Sequence, residues 1–317
     1  MTRSRTQSVV ALGGGHGLYA TLSALRRVVD APTGIVTVAD DGGSSGRLRD
    51  EFGVLPPGDL RMALAALCGD DEWGRTWARV LQHRFAGEGD MRGHVVGNLL
   101  LVGLWELLGD DVTSLDWVGR LLGARGRVLP MALTPLVMTA RVSGLDPADP
   151  RRTTEVRGQV EVASTAGRIE SVAIEPADPR SCPDAVTAVR EAAAVVLGPG
   201  SWYTSVIPHL LVPDLRRALV ETEARVVVVL NLEGQTGETD GLSPADHLAV
   251  LLEHGPDLRI DHVLADESRT GDVGELAAAA KEYDAELVVA DIAHDDGSPR
   301  HHPDKLAAAF ADLLDRG

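Results

Sequence analysis

The sequence predicts an α/β protein with a doubly wound, mostly parallel sheet and a small β-rich insertion. Short β-branched runs alternate with helical patterns along most of the 317 residues, which is typical of a parallel sheet. A glycine-rich turn joins the first apolar run to the first helical pattern. Between residues 128 and 175 the pattern changes to alternating polar and apolar residues with Gly and Asp-Pro turns.

The individual elements follow from apolar periodicity. Residues 9–12 predict a buried strand, and residues 18–28 predict its helix, with Leu18, Leu22 and Leu25 on one stripe. Residues 35–39 predict a second strand. Four later strands lie in "AVVLGPGS", "RVVVVLNL", "IDHVLADE" and "AELVVADI", separated by helical segments. Ser243 followed by Pro244 predicts a helix start, and "HPDKLAAAFADLL" predicts a last helix.

The change of pattern predicts the domain boundaries. Residues 1–127 and 176–317 form the predicted nucleotide-binding core. Residues 128–175, with "LVMTARVSG", "TTEVRGQVEVAS" and "GRIESVAIEP", form the predicted β-rich insertion.

Composition and charge exclude several classes of protein. The formal net charge of −17 argues against a general nucleic-acid binder and against binding to an anionic membrane surface. It leaves room for a small anionic ligand, because backbone N–H groups act locally. The sequence has no apolar run of about 18 residues, and its first residues are too polar for a signal peptide. We therefore expect a cytoplasmic protein with no stable membrane insertion.

The first glycine turn predicts a site for phosphate. The run from Gly15 to Ala20 has the G-x-G-x-x-A pattern after a strand, and Asp40 follows at the distance of a ribose-binding acid. This stretch alone makes NAD a candidate, and a glycine turn used only for packing is the alternative. The predicted ligand-binding residues are Gly13, Gly14, Gly15, His16 and Gly17.

The next loop, "ADDGGSSGR", weakens the NAD hypothesis. An NAD site needs one acid there, whereas this loop offers two carboxylates, three glycines and two hydroxyls. Such groups can hold a divalent metal, a phosphate and a hydroxylated ligand together. We expect Asp40 and Asp41 to bind Mg²⁺ if a metal is present, which requires the strand to end before Gly42. The predicted ligand-binding residues of this loop are Asp40, Asp41, Gly42, Gly43, Ser44 and Ser45.

Two further loops follow strands and carry the same kinds of group. In an open α/β sheet, ligands bind beyond the carboxyl ends of the strands, so we expect all four loops to meet. The third loop supplies hydroxyls and backbone N–H groups for an anion. The fourth supplies hydrogen-bonding groups for a base or sugar. The residues are Gly198, Gly200, Ser201, Tyr203, Thr204 and Ser205 in the third loop, and Asn231, Gln235, Glu238 and Thr239 in the fourth.

Five other polar residues have two interpretations each. His94 and Asn98, spaced i and i+4 at the start of a predicted buried helix, either face the ligand or cap the helix. Asp59 and Arg61, at a helix start after two prolines, have either a site role or a capping role. Arg300 either contacts phosphate through its forked guanidinium or lies on the surface.

Together these motifs resemble the CofD-like family. That family contains the 2-phospho-L-lactate transferase of deazaflavin-cofactor synthesis and the bacterial YvcK-type gluconeogenesis factor. The matching stretches are "GGGHGL", "IVTVADDGGSSGRLR", "LPPGDLR", "GHVVGNLLL", "LGPGSWYTSVIPHLLV", "GQTGETDG" and "PRHHPDKLA". They favour the YvcK-type branch. His16 in place of the usual Thr and Glu233-Gly234 in place of a more apolar pair are departures, and both lie in predicted ligand loops.

The resemblance implies a function and leaves an alternative. It implies a Rossmann-like core and a cytoplasmic protein that binds a UDP-sugar, such as UDP-N-acetylglucosamine. We expect a regulatory protein without turnover. That protein would act in cell-wall homeostasis and cell shape on gluconeogenic carbon sources. The alternative is a phospholactyl-type transferase with Mg²⁺. The few aromatic residues near the loops favour the binding protein, because a deazaflavin acceptor needs a stacking wall. An NAD-dependent oxidoreductase is a third class. The resemblance also implies a homodimer and an unidentified regulatory protein partner.

Overall fold

A computed structural model describes residues 7–235, 237–239 and 241–316. Its strands are β1 (Val9–Gly13), β2 (Thr33–Val36), β3 (Arg127–Pro130), β4 (Val137–Ser143), β5 (Thr154–Arg157), β6 (Arg168–Glu175), β7 (Ala194–Leu197), β8 (Arg225–Val229), β9 (His262–Asp266) and β10 (Glu286–Ala290).

The helices lie between these strands. They are α1 (Gly15–Val28), α2 (Gly43–Phe52), α3 (Pro57–Ala66), α4 (Glu72–Gln82), α5 (Val96–Leu108), α6 (Asp111–Leu122), α7 (Gln159–Ala163), α8 (Pro183–Arg190), α9 (Pro208–Leu211), α10 (Pro213–Glu221), α11 (Pro244–His254), α12 (Val273–Glu282) and α13 (Pro303–Asp315), with a π-helical turn at Trp202–Val206.

Seven strands form one parallel sheet in the order β10-β9-β8-β7-β1-β2-β3. Every residue of β1 and β7 is buried, as expected for strands covered on both faces. The strand order reverses between β1 and β7, so the loops that follow these two strands leave the sheet in opposite directions. That is the place where doubly wound folds bind ligands. The predicted α/β Rossmann-like fold is confirmed.

Several helices begin with proline, which is favoured at the first helical position because its missing N–H has no partner there. They include α3, α8, α10, α11 and α13. At the predicted start of α11, Ser243 accepts a hydrogen bond from the backbone of Asp246, and the Asp246 side chain bonds back to the backbone of Ser243. This capping box satisfies two N–H groups at the helix start.

The small sheet is antiparallel, with the order β5-β4-β6. It lies within the predicted insertion, but the predicted boundary at residue 128 differs from the sheet assignment. Residues 128–130 belong to β3, which pairs with β2 at the edge of the large sheet. The small sheet begins only at Val137. A period-two pattern does not reveal which sheet a strand joins, since that depends on its partner.

The predicted buried helix around His94 and Asn98 starts later than expected and is buried on one face. The helix α5 begins at Val96, so His94 lies before it. One face is buried through Asn98, Leu101 and Trp105, whereas Leu107 is 76% exposed. Among the described residues, no helix is long and apolar enough to cross a membrane.

Candidate functional site

The two glycine loops that follow β1 and β7 pack directly against each other. A Cβ atom added to Gly17 would lie 2.1 Å from the carbonyl oxygen of Pro199 and 2.7 Å from Cα of Gly200. The hydroxyl of Thr21, one turn further along α1, donates to the carbonyl of Gly198 at 3.2 Å. The missing side chain at Gly17 therefore serves a contact between two protein loops.

The start of α1 has open space at Gly15, away from the contact between Gly17 and the loop after β7. Gly15 has φ +53° and its missing side chain faces empty space. Gly14 precedes the helix without a side-chain cap, and the first turn carries no acidic residue. The carboxyl group of Asp59 accepts the N–H of Gly15. The next N–H groups of this first turn have no partner within the helix, so they can meet an anion, and the helix dipole adds positive potential. His16 is exposed at the same end. This is the part of the predicted phosphate site that the structure leaves accessible.

Asp40 and Asp59 lie together beside this helix start. An added Cβ at Gly14 would lie 2.5 Å from Oδ2 of Asp59, and one at Gly58 would lie 2.5 Å from Oδ2 of Asp40. The other oxygen of Asp40 accepts the N–H of Gly42 at 2.9 Å. The hydroxyl oxygen of Ser45 accepts the N–H of Gly58 at 3.0 Å, which fixes α2 against α3.

Burial raises the pKa of both carboxyl groups in this pair. Burial, and then the charge of Asp40, raises the pKa of Asp59 to about 7. A backbone hydrogen bond from Gly15 and the charge of Arg61 oppose that shift. Burial also raises the pKa of Asp40 and lowers that of the Arg61 guanidinium. Two neighbouring carboxyl groups with raised pKa values form a site that a cation or a proton stabilises.

The predicted metal pair, Asp40 with Asp41, is not the pair that the structure brings together. Both carboxylate oxygens of Asp41 accept backbone N–H groups of α7, from Gln159 at 2.9 Å and from Val160 at 3.0 Å. The acidic neighbour of Asp40 in the structure is therefore Asp59, whose pKa the charge of Asp40 raises. The described residues contain no group of three or more metal-binding side chains. A divalent ion there would take its remaining oxygens from ligand and water, as Mg²⁺ commonly does.

Removing the Asp41 carboxylate should loosen the small sheet. We expect Asp41→Ala to lower the free energy of unfolding by about 1–2 kcal/mol, because two N–H groups at the start of α7 lose their acceptor. Urea unfolding measures this change. Asp178→Ala, which removes an exposed carboxylate beyond β6, is the matched control. Equal stability of the two variants would show that α7 is held without Asp41.

Ser44, His94 and Asn98 form a buried polar cluster between α2 and α5. The hydroxyl oxygen of Ser44 accepts the N–H of Val95 and an amide N–H of Asn98, each at 3.2 Å. It lies 3.3 Å from Nδ1 of His94. Because the oxygen already accepts two hydrogen bonds, its own hydrogen goes to Nδ1. That assigns a neutral His94, in agreement with burial, which lowers its pKa.

These contacts leave two buried atoms without a partner near the acidic pair. They are Oδ1 of Asn98 and Nε of Arg61. The guanidinium of Arg61 also donates to Gln82 at 3.3 Å. Ser44 and Asn98 therefore serve the packing of α2 on α5, while Arg61 combines burial with a free N–H beside Asp59.

In the third loop, two groups predicted to bind an anion already contact a carboxylate of the protein itself. The Glu238 carboxylate accepts the backbone N–H of Tyr203 at 3.0 Å and the hydroxyl of Thr204 at 2.5 Å, and burial raises its pKa. These two groups, predicted to bind ligand, are thus engaged by Glu238. Ser205 lies against the first glycine loop, with an added Cβ at Gly14 3.3 Å from its hydroxyl oxygen. Its carbonyl accepts the hydroxyl of Thr37 at 2.7 Å.

The fourth loop is held by two of its predicted ligand residues. The amide of Asn231 pairs with both the N–H and the carbonyl of Gly200, each at 2.8 Å. The hydroxyl of Thr239 accepts the N–H of Gln235 at 2.9 Å. Asn231 therefore ties the loop after β8 to the loop after β7. Oδ1 and Nδ2 of Asn231 are both used in this contact, which leaves Gln235 as the free amide of the loop.

A cavity of about 600 Å³ adjoins these loops. Gln235 faces it, with Oε1 buried and unpaired. Arg300 also lines it, but its exposed guanidinium is bound to Asp296 at 3.0 Å and Ser298 at 3.1 Å. Sequence reasoning did not select Tyr19 and His301, although "PRHHP" placed a histidine next to Arg300. The residues that line the cavity include His16, Tyr19, Leu232, Gln235, Pro299, Arg300 and His301.

Comparisons with known proteins agree on one family. The model of the CofD family, described as 2-phospho-L-lactate transferase CofD, matches residues 9–300. A protein named "Putative gluconeogenesis factor" from Mycobacterium tuberculosis is 54% identical over 308 residues, which cover 96% of this chain and 90% of that protein. The "Gluconeogenesis factor" of Listeria innocua is 36% identical over 325 residues, covering 99% and 98%.

A solved structure supports the same assignment. The crystal structure of a UPF0052-family protein from Bacillus halodurans superposes with a TM-score of 0.84 at 32% sequence identity, covering 96% of this chain and 98% of that one. The family model spans most of the chain, and the relatives align over nearly all of it. This chain belongs to the CofD family and resembles its members named gluconeogenesis factors.

Proposed function

We propose that this protein is a cytoplasmic regulatory protein that binds a UDP-sugar, such as UDP-N-acetylglucosamine. The observation that carries the proposal is the glycine-rich start of α1, where Gly14 offers no side-chain cap, next to a cavity of about 600 Å³. The helix start fits a diphosphate, and the cavity has the size and partly apolar walls of a small-molecule site. The names of the relatives support a role in gluconeogenesis. The proposal adds a role in cell shape and cell-wall homeostasis.

The proposed ligand would lie across the start of α1, with its nucleoside on one side and its sugar on the other. The cavity, with Tyr19 and Leu232 on its walls, would hold the nucleoside. Asp40, Asp59 and Arg61 lie at the other side, where the sugar end of the ligand would reach. Mg²⁺ held by Asp40 and Asp59 would neutralise part of the diphosphate charge. The homodimer and the regulatory protein partner stay predictions.

A thermal shift tests the proposal. A ligand present at a hundredfold excess over its Kd stabilises the folded state by about 2.7 kcal/mol, which raises the melting temperature of a chain of this size by roughly 5 °C. We expect that shift with UDP-N-acetylglucosamine and none with NAD at the same concentration. A shift with NAD and none with any UDP-sugar would contradict the proposal.

A charge at Gly15 should abolish the shift. Gly15→Asp adds a negative side chain in open space beside the proposed diphosphate. Gly144→Asp is the matched control, because Gly144 also has a positive φ, +80°, and open surroundings but lies in a turn of the small sheet. We expect the shift to persist in the control. Loss of the shift in both variants would point to damaged folding.

The transferase is the second candidate, and the Asp40–Asp59 pair favours it, because metal-binding carboxylates are typical of enzymes that transfer phosphorylated groups. Transfer of phospholactate from a nucleotide diphosphate carrier to a deazaflavin acceptor, with Mg²⁺ present, can be followed by chromatography. Product that depends on the protein, and is lost in Asp59→Asn, would replace the regulatory function with a catalytic one.

A further inference from the structure

His301 sits in a braced segment next to the cavity. It pairs with Ala293 in an antiparallel bridge. The N–H of His302 donates to the carbonyl of Ile292 at 2.8 Å. The Asp266 carboxylate, at the end of β9, accepts the N–H groups of Ile292 and Ala293 at 2.9 Å each. These bonds fix the backbone that carries the imidazole.

The imidazole of His301 has one buried nitrogen without a hydrogen-bond partner. The side chain is 7% exposed and lines the cavity. A hydrogen bond joins the ring to the carbonyl of Leu230, and Nε2 is buried without a partner. Burial lowers the pKa of His301 to about 4, so the ring is neutral at physiological pH. A neutral imidazole carries its hydrogen on one nitrogen. With that hydrogen on Nδ1, Nε2 has a lone pair free to accept a hydrogen bond.

The rest of the cavity wall fits a planar base. Tyr19, Leu232 and Pro299 supply apolar surface. Gln235 contributes a second buried acceptor without a partner, Oε1. Acceptors that meet neither water nor protein destabilise the folded state, and a ligand that brings N–H or O–H groups removes that penalty.

We propose that Nε2 of His301 accepts the ring N–H of the nucleobase, and so selects uracil over cytosine. Uracil carries a hydrogen on N3, whereas the N3 of cytosine is itself an acceptor and would face the lone pair of Nε2. The inference rests on the proposed function and assigns its base specificity to one residue. It requires a small turn of the imidazole towards the cavity on binding, since Nε2 is screened from water in the ligand-free protein.

Isothermal titration with UDP, CDP, N3-methyl-UDP and 2′-deoxy-UDP tests the inference without any change to the protein. We expect UDP to bind about tenfold more tightly than CDP or N3-methyl-UDP, which corresponds to one buried hydrogen bond. We expect 2′-deoxy-UDP to bind nearly as tightly as UDP. Loss of affinity on removal of the 2′-hydroxyl, with N3-methylation tolerated, would assign Nε2 to the ribose and overturn the inference.

Variants provide the second test. In His301→Phe, which keeps a ring but removes the acceptor, we expect UDP and CDP to bind with equal, weakened affinity. His301→Gln, which can place an oxygen near the position of Nε2, should restore part of the preference. His83→Phe, an exposed imidazole outside the cavity, is the control for loss of a histidine.

The outcomes separate the two proposals. A wild-type protein that prefers UDP, with the preference retained in His301→Phe, would overturn the role of His301 and leave the proposed function intact. A wild-type protein that binds no uridine nucleotide would overturn both.

Discussion

Gly17→Ala should be among the most destabilising single substitutions in the glycine loops. The added methyl group would lie 2.1 Å from a carbonyl oxygen and 2.6 Å from its carbon, both of Pro199. Both are backbone atoms that no rotamer change can move away. We expect a loss of about 3 kcal/mol or more, at the upper end of what overpacking costs, measured as a lower urea midpoint with an unchanged slope.

Gly103→Ala is the matched control for this substitution. Gly103 lies inside α5 and is exposed, with open space around its missing side chain. Alanine there should stabilise the protein by about 0.5–1 kcal/mol, because glycine is unfavourable inside helices. A Gly17→Ala protein as stable as the wild type would show that the two glycine loops can move apart.

Asp59→Asn should stabilise the metal-free protein at neutral and alkaline pH. The folded-state pKa of Asp59 is raised from 3.8 to about 7, so the folded state holds this proton more tightly than the unfolded chain. The contribution of Asp59 to stability is fully present below about pH 4 and is lost as the pH rises towards 7. At 1.36 kcal/mol per pKa unit, the loss reaches up to about 4 kcal/mol.

The variant lacks this pH-dependent loss. Unfolding measured from pH 4 to pH 8 in the presence of a chelator should give two curves that agree at pH 4 and diverge above it, with Asp59→Asn the more stable. Asp178→Asn, at an exposed position, should follow the wild type. Parallel curves for Asp59→Asn and wild type would contradict a raised pKa. The same variant should lose the affinity for Mg²⁺ that we expect of the Asp40–Asp59 pair.

Local patterns predicted most of the fold. Short runs rich in valine, such as "RVVVVLNL", favour buried strands, and the capping box at Ser243 marks its helix start by side-chain chemistry alone. The sequence did not predict that residues 128–130 join the large sheet, because this depends on the pairing of β3 with β2, about 90 residues earlier. Periodicity gives the faces of a strand and leaves its neighbours undetermined.

The candidate site was predicted at the level of loops. Their convergence follows from parallel strands, which all end at one edge of the sheet. The partners of individual side chains were not predictable. Asp41 accepts a hydrogen bond from α7, Thr204 donates one to Glu238, and Asn231 accepts one from Gly200. Each contact joins residues that are more than 30 positions apart in sequence, so no local pattern records it. Ligand binding by these loops stays a prediction.

The neighbouring carboxylates Asp40 and Asp41 serve two different parts of the molecule. Asp40 lies with Asp59, whereas the carboxylate of Asp41 accepts two N–H groups from the first turn of α7 in the insertion. A single planar peptide bond joins the two residues, so a displacement of α7 would shift Asp41 and, with it, Asp40. The two residues would then couple the proposed ligand site to the small sheet. Coupling of this kind is reciprocal. If a partner protein binds the small sheet and changes the affinity for the ligand by some factor, then the ligand must change the affinity for that partner by the same factor.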